Sequence, residues 1–167
     1  MDAKRMPRLI FKLSIVATIL FTSIYFGNLG AQTAAFQMMK NHLSYKGYKC
    51  SIDVQGKFNR LRCETDKAYP NFSVRQQSGG FLLSSYFSGS QYAKTHRAAF
   101  LNLVNNLNVL AIATRYYVDR DTDLALEVWI PGENYDKQGF DSTIENFNTD
   151  WDRIFSKFGD EVRQFLR

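Results

Sequence analysis

The stretch that decides the fold is Lys49–Cys63, KCSIDVQGKFNRLRC, which contains both cysteines of the chain. They are placed symmetrically about Gly56 and Lys57, a pair typical of a two-residue hairpin loop with glycine first. In such a hairpin Cys50 faces Cys63 at a position whose short Cα spacing suits a disulfide. The same register sets two further cross-strand pairs, Ile52 with Leu61 and Asp53 with Arg60. We therefore predict a hairpin that a Cys50–Cys63 disulfide closes in an oxidising compartment.

The N-terminus has the pattern of an export signal. Residues 1–12 carry four Lys or Arg and one Asp, and a fourteen-residue apolar run, Leu13 to Phe26, follows. As a helix this run would span about 21 Å, less than the roughly 30 Å hydrocarbon core of a bilayer. The pattern favours a signal peptide over residues 1–31, with an uncleaved membrane anchor over residues 13–31 as the alternative. Either way, the positive N-terminal flank predicts that residues 32–167 lie in the periplasm.

The remaining chain, residues 32–167, has the length of one domain. Most of the formal net charge of +5 comes from the leader, which leaves +2 and disfavours nucleic acid as a partner. Residues 32–115 carry eleven Lys or Arg against three Asp or Glu, whereas residues 116–167 carry six against twelve. This polarity suits self-complementary packing or an oriented partner, and solvated faces that happen to segregate are the alternative.

Hydrophobic periodicity predicts an antiparallel α+β domain with helices packed on the sheet. Helical spacing occurs over residues 33–46, with Phe36, Met39 and Leu43 on one face and Gly47 as the stop. A capping box of Ser142 and Glu145 predicts the start of a long C-terminal helix. The expected order is α-β-β-β-β-α-β-β-α. The remaining predicted elements are the hairpin 48–64, strands 72–76 and 81–87, a helix over 95–108, and strands 110–118 and 124–130.

Three short motifs carry a resemblance to a known family. They are NLVNN at residues 102–106, RYYVD at 115–119 and DLALE at 123–127, and a long aromatic helix follows them. Over about residues 36–160 the chain resembles the YbjN-type family of bacterial sensory transduction regulators, which is similar in fold to type III secretion chaperones. The resemblance implies a chaperone-like fold and a non-enzymatic, protein-binding or regulatory role.

The sequence contains no recognisable constellation for catalysis or metal binding. His42 and His96 have no carboxylate or cysteine at metal-ligand spacing. Residues 119–123, DRDTD, resemble the start of a calcium loop, but Leu124 and Ile130 replace the glycine and the glutamate that such a loop requires. We therefore expect a polar turn here, no catalytic residue, no metal site and no cofactor.

The aromatic residues suggest where a partner binds. Tyr86, Phe87 and Tyr92 lie among Ser and Gly, a composition that suits adaptable contacts, and we take them as the candidate binding surface. The aromatic stripe through Trp151 is better explained as core packing, with a partner groove as the alternative.

These observations predict an exported, non-enzymatic adaptor or chaperone-like module that binds another protein or a peptide. Self-association as a homodimer stays open, and contact with a membrane is expected only through an uncleaved N-terminal segment. The alternative function is a carrier of a small apolar ligand in a pocket between the sheet and the helices.

Overall fold

The computed structural model describes residues 34–53, 59–132 and 134–167. The chain divides into two units, Met1–Ala35 and Phe36–Arg167, and the architecture given below is that of the second. The predicted leader, residues 1–31, and the predicted loop at Gly56 and Lys57 lie outside the described residues. No helix within the described ranges combines the length and the hydropathy needed to span a bilayer.

The predicted α+β fold is confirmed. Six strands form one antiparallel sheet in the order β1-β2-β3-β4-β6-β5, and helices pack on it. Along the chain the elements are α1 (34–45), β1 (Tyr48–Asp53), β2 (Arg60–Thr65), β3 (Phe72–Gln77), β4 (Gly80–Phe87), α2 (Gln91–Thr95), α3 (Arg97–Leu110), β5 (Arg115–Val118), β6 (Leu124–Pro131) and α4 (Lys137–Phe165).

The β1–β2 hairpin has the predicted register. Cys50 lies opposite Cys63, and Asp53 lies opposite Arg60. The Cys50–Cys63 disulfide is present, with the two Cα atoms 4.2 Å apart. The sequence symmetry about the loop therefore predicted both the pairing of the strands and the covalent link between them.

Aromatic side chains fill the face of the sheet that the helices cover. Phe36 of α1 packs against Phe81 of β4 with ring centroids 6.3 Å apart, and Phe147 of α4 packs against Phe72 of β3 at 5.9 Å. All four rings are at most 4% exposed. Because residues two apart on a strand share a face, the large buried apolar residues of each strand point to the same layer of helices. We call this side of the sheet the covered face.

The C-terminal helix begins earlier than the capping box predicted. Ser142 lies inside α4, and the N-cap is Asp136, whose carboxylate accepts the backbone N–H groups of Gln138 (3.2 Å) and Gly139 (2.8 Å). A carboxylate at this position satisfies donors that the first turn of a helix leaves free. The predicted capping box was wrong because a second, equally suitable cap stands six residues upstream.

The segment before β5 also differs from the prediction. A strand was expected over residues 110–118, but the strand starts at Arg115 and residues 111–114 form a loop. The buried carboxylate of Asp150 in α4 accepts the backbone N–H groups of Ile112 (2.8 Å), Ala113 (3.0 Å) and Thr114 (2.9 Å). Three successive N–H groups held by one side chain cannot join a strand ladder, in which alternate groups point to opposite sides.

Candidate functional site

The second face of the sheet is the candidate functional site. The described helices α1 and α4 pack on the covered face, and α3 lies along the β5 edge, where the Asn108 side chain bonds the backbone of Tyr116. The side chains on the opposite face include two large exposed aromatics, Tyr86 (52% exposed) and Trp129 (44%). We call this side the open face, and its central side chains are those of Arg60, Arg62, Ser73, Arg75, Leu82, Ser84, Tyr86, Glu127 and Trp129.

Positive charge gathers where β2 and β3 meet on the open face. Asp53 Oδ2 accepts a hydrogen bond from Arg60 Nε and forms an ion pair with Arg62 Nη2, each at 3.1 Å. Arg75 lies directly opposite Arg60 in the ladder and forms no ion pair within the described residues. Like charges directly opposite each other destabilise a pair of strands. Two guanidinium groups thus share the Asp53 carboxylate, and that of Arg75 adds a further positive charge at this end of the face.

A groove with a serine floor lies beside these arginines. Ser73 and Ser84 are cross-strand neighbours, and their hydroxyl oxygens are 3.3 Å apart. Arg60 and Arg62 stand on one side of the floor and Tyr86 on the other, around a volume of about 250 Å³. Typical pockets for whole small molecules start at about 300 Å³, so the groove suits one side chain of a larger partner.

At the β5–β6 end of the open face the charges are balanced. The Glu127 carboxylate accepts from Arg115 Nη2 at 2.7 Å and from the Tyr117 hydroxyl at 2.8 Å. Burial, and then the hydrogen bond to Glu127, raise the pKa of Tyr117 above its ordinary value, so this phenol stays protonated and keeps donating. The uncompensated charge on the open face is therefore confined to β2 and β3.

The structure does not bring the three residues of the sequence-predicted binding surface together. Tyr86 lies on the open face, whereas Phe87 points to the covered face and stacks on Trp151 with centroids 4.9 Å apart. Tyr92 lies on α2, where its ring packs against Phe165 at 5.2 Å. Tyr86 and Phe87 separate because adjacent residues of a strand point to opposite faces.

Sequence reasoning missed Trp129, which together with Tyr86 is a large exposed aromatic residue of the open face. In β6 the residues Leu124, Leu126, Val128 and Ile130 are all buried, so the alternation assigns Glu127 and Trp129 to the opposite side. This alternation is readable in the sequence, and it is the signal that could have identified Trp129.

Trp151 belongs to the covered face, as the core-packing interpretation expected. It is 6% exposed, stacks on Phe87, and donates its Nε1 hydrogen to the carbonyl oxygen of Ala68 at 2.9 Å. Because Trp151 is buried, it is not exposed to line a partner groove, which was the alternative interpretation of this aromatic stripe.

A second polar cluster joins α1 to the start of α4. His42 Nδ1 lies 2.6 Å from the Tyr135 hydroxyl, and His42 Nε2 lies 3.0 Å from Asp141 Oδ1, which Lys46 also contacts. Burial raises the pKa of Tyr135 above its ordinary value, which keeps this phenol protonated. Within the described residues no group of three His, Cys, Asp or Glu is placed to hold a metal ion. The cluster has the geometry of a structural link between two helices.

The polar hairpin at residues 119–123 uses its carboxylates within the fold. Asp119 Oδ1 accepts the N–H groups of Asp121 and Asp123, each at 2.9 Å, and Asp123 Oδ1 accepts that of Gly89 at 2.9 Å. A turn that side chains stabilise in this way matches the polar-turn interpretation.

Comparison with known proteins bears on the fold alone. No protein-family model matches the chain, and no curated protein matches it. The fold is similar to that in a crystal structure of an uncharacterized protein from Methanothermobacter thermautotrophicus, with a TM-score of 0.53 and 12% sequence identity. The match covers 76% of this chain and 98% of that one. The architecture described above is thus shared with a known structure at very low sequence identity.

Proposed function

We propose that this protein is an exported, non-enzymatic module of the bacterial cell envelope that binds another protein or a peptide through its open face. One observation carries the proposal: a sheet face without a described helix on it exposes Trp129 and Tyr86 beside a group of arginines. Trp, Tyr and Arg are the residues that dominate binding energy at protein interfaces. An adaptor-like or chaperone-like role, as in the YbjN-type family that the chain resembles, fits such a face.

The alternative, a carrier of a small apolar ligand, has less support. It would need a cavity of several hundred Å³ between the sheet and the helices. Buried rings such as those of Phe36, Phe72, Phe81 and Phe147 pack against one another across that space. Binding at the surface of the sheet therefore fits the packing better than binding inside it.

The disulfide supports the exported location. Disulfides persist in oxidising compartments such as the periplasm and are rare in the cytosol. The Cys50–Cys63 bridge and the basic and apolar N-terminal pattern of the sequence lead to the same proposal.

Site-specific photo-crosslinking in the producing cell tests the proposal. A photoreactive phenylalanine analogue at Trp129 or at Tyr86 should give the same covalent adduct, identified by mass spectrometry. Val109 is a matched control because it is 83% exposed and lies on α3, at the β5 edge of the sheet. Adducts from Val109 alone, or none from either position on the open face, would contradict the proposal.

A further inference from the structure

We propose that the groove floored by Ser73 and Ser84 binds an Asp or Glu side chain of an acidic peptide segment in the partner. This inference rests on the proposed function, because it names the chemistry of the partner at the same open face.

The first step is the excess of hydrogen-bond donors and positive charge. Asp53 engages one nitrogen of Arg60 and one of Arg62, at 3.1 Å each, whereas a guanidinium has five N–H donors. Arg75 adds a third guanidinium opposite Arg60, without an ion pair in the described parts of the chain. A bound carboxylate would relieve the repulsion between the arginines and accept charge-assisted hydrogen bonds.

The second step is the shape of the groove. The floor consists of two small side chains, so an acidic group can approach the sheet closely beside Arg62. The hydroxyls of Ser73 and Ser84 are 3.3 Å apart and can rotate to donate to a bound oxygen. Tyr86 forms the opposite wall, against which the methylene groups of Asp or Glu can pack. The volume of about 250 Å³ accommodates one side chain of a peptide.

The third step distinguishes a carboxylate from a phosphate. Glu64 lines the groove. Its carboxylate disfavours a ligand that carries close to two negative charges, as a phosphate ester does at neutral pH. The groove therefore matches the single charge of Asp or Glu.

The exposed aromatics favour a peptide over a free acid. Tyr86 borders the groove, and Trp129 lies on β6, two residues beyond the Glu127 that faces Ser84. Apolar residues that flank the acidic one in a peptide would cover these rings. The expected ligand is a segment in which acidic and apolar residues alternate.

Peptide titration of the exported protein, purified from the cell envelope, tests the inference. The probes are a capped peptide of alternating Glu and Leu, the same peptide with Gln for Glu, and the same peptide with phosphoserine for Glu. We expect the Glu peptide to bind about tenfold more tightly than the Gln peptide, as for loss of a charge-assisted hydrogen bond. Arg62→Gln or Arg75→Gln should weaken the Glu peptide by about tenfold. The control Lys137→Gln, at an exposed lysine on α4, should change its affinity less than twofold.

Several outcomes would overturn the inference. Equal affinity for the Glu and Gln peptides, tighter binding of the phosphoserine peptide, or an equal loss with Lys137→Gln would each exclude a specific carboxylate groove. So would failure of the Glu peptide to bind at all. None of these results decides whether a photo-crosslinked adduct forms at Trp129. The proposed function is therefore tested separately from this inference.

Discussion

The two faces of one sheet differ in what holds their side chains in place. On the covered face, Leu83 is 0% exposed and packs in the aromatic layer, and its neighbour Leu82 on the open face is only half-buried. Packing fixes the residues of the covered face. On the open face Arg75 lies opposite Arg60, an arrangement that costs stability. A face that keeps unfavourable charges and exposed rings fits the proposed binding role.

The two tryptophans of the chain test this comparison most sharply. Trp151→Ala on the covered face should destabilise the protein by about 3–5 kcal/mol, because it leaves a cavity and removes the bond to Ala68. Trp129→Ala on the open face should change stability by less than about 1 kcal/mol. Urea unfolding of both variants measures the difference. Similar losses would mean that the open face is also a packed interior.

The disulfide gives the second largest expected effect. Replacing Cys50 and Cys63 together by Ala should lower the free energy of unfolding by about 3 kcal/mol, the value for a bridge that closes a loop of this length. The loss should appear equally when dithiothreitol reduces the unmodified protein. A double variant as stable as the parent would show that packing on the covered face alone holds β1 in the sheet.

Arg75 should have a smaller effect, in the opposite direction. Arg75→Gln removes a charge directly opposite Arg60, and we expect it to leave stability unchanged or to raise it by up to about 1 kcal/mol. Peptide affinity should fall in the same variant. Gln77→Ala, at an exposed position on the same face of β3, is the control. A marked loss of stability in Arg75→Gln would give the arginine a structural role instead.

The smallest effect is a pH dependence at the link between α1 and α4. The hydrogen bond from Lys46, and then that from His42, hold the pKa of Asp141 below 3.8. Since the folded pKa is depressed, the stabilisation is present above the ordinary carboxyl pKa and is lost as the pH falls through the folded value. As the pH is lowered from about 6 to about 2, the melting temperature of Asp141→Asn should therefore fall less steeply than that of the parent. Asp152→Asn, at an exposed position of α4, should behave like the parent.

The sequence predicted well the features that depend on neighbouring residues, and it predicted poorly those that depend on residues far apart in the chain. The register of β1 and β2 follows from a loop signal and from alternation within fifteen residues. The start of β5 depends on Asp150, a residue of α4 that lies far along the chain. The pairing of Arg60 with Arg75 depends on how the 66–71 connection sets the β2–β3 register, for which the sequence has no tight-turn signal. Only tertiary contacts determine such features. The arginine group of the candidate site is one of these features.

The position of α4 after all six strands has a consequence for the order of assembly. This helix, Lys137–Phe165, supplies Phe140, Phe147, Trp151 and Phe165 to the buried layer, and its Asp150 holds the loop that leads into β5. A ribosome-bound chain that ends before residue 137 would therefore expose the aromatic rings of the sheet. We expect the native state to form only once residues 137–165 have been synthesised, because until then the apolar side of the sheet lacks the helix that covers it.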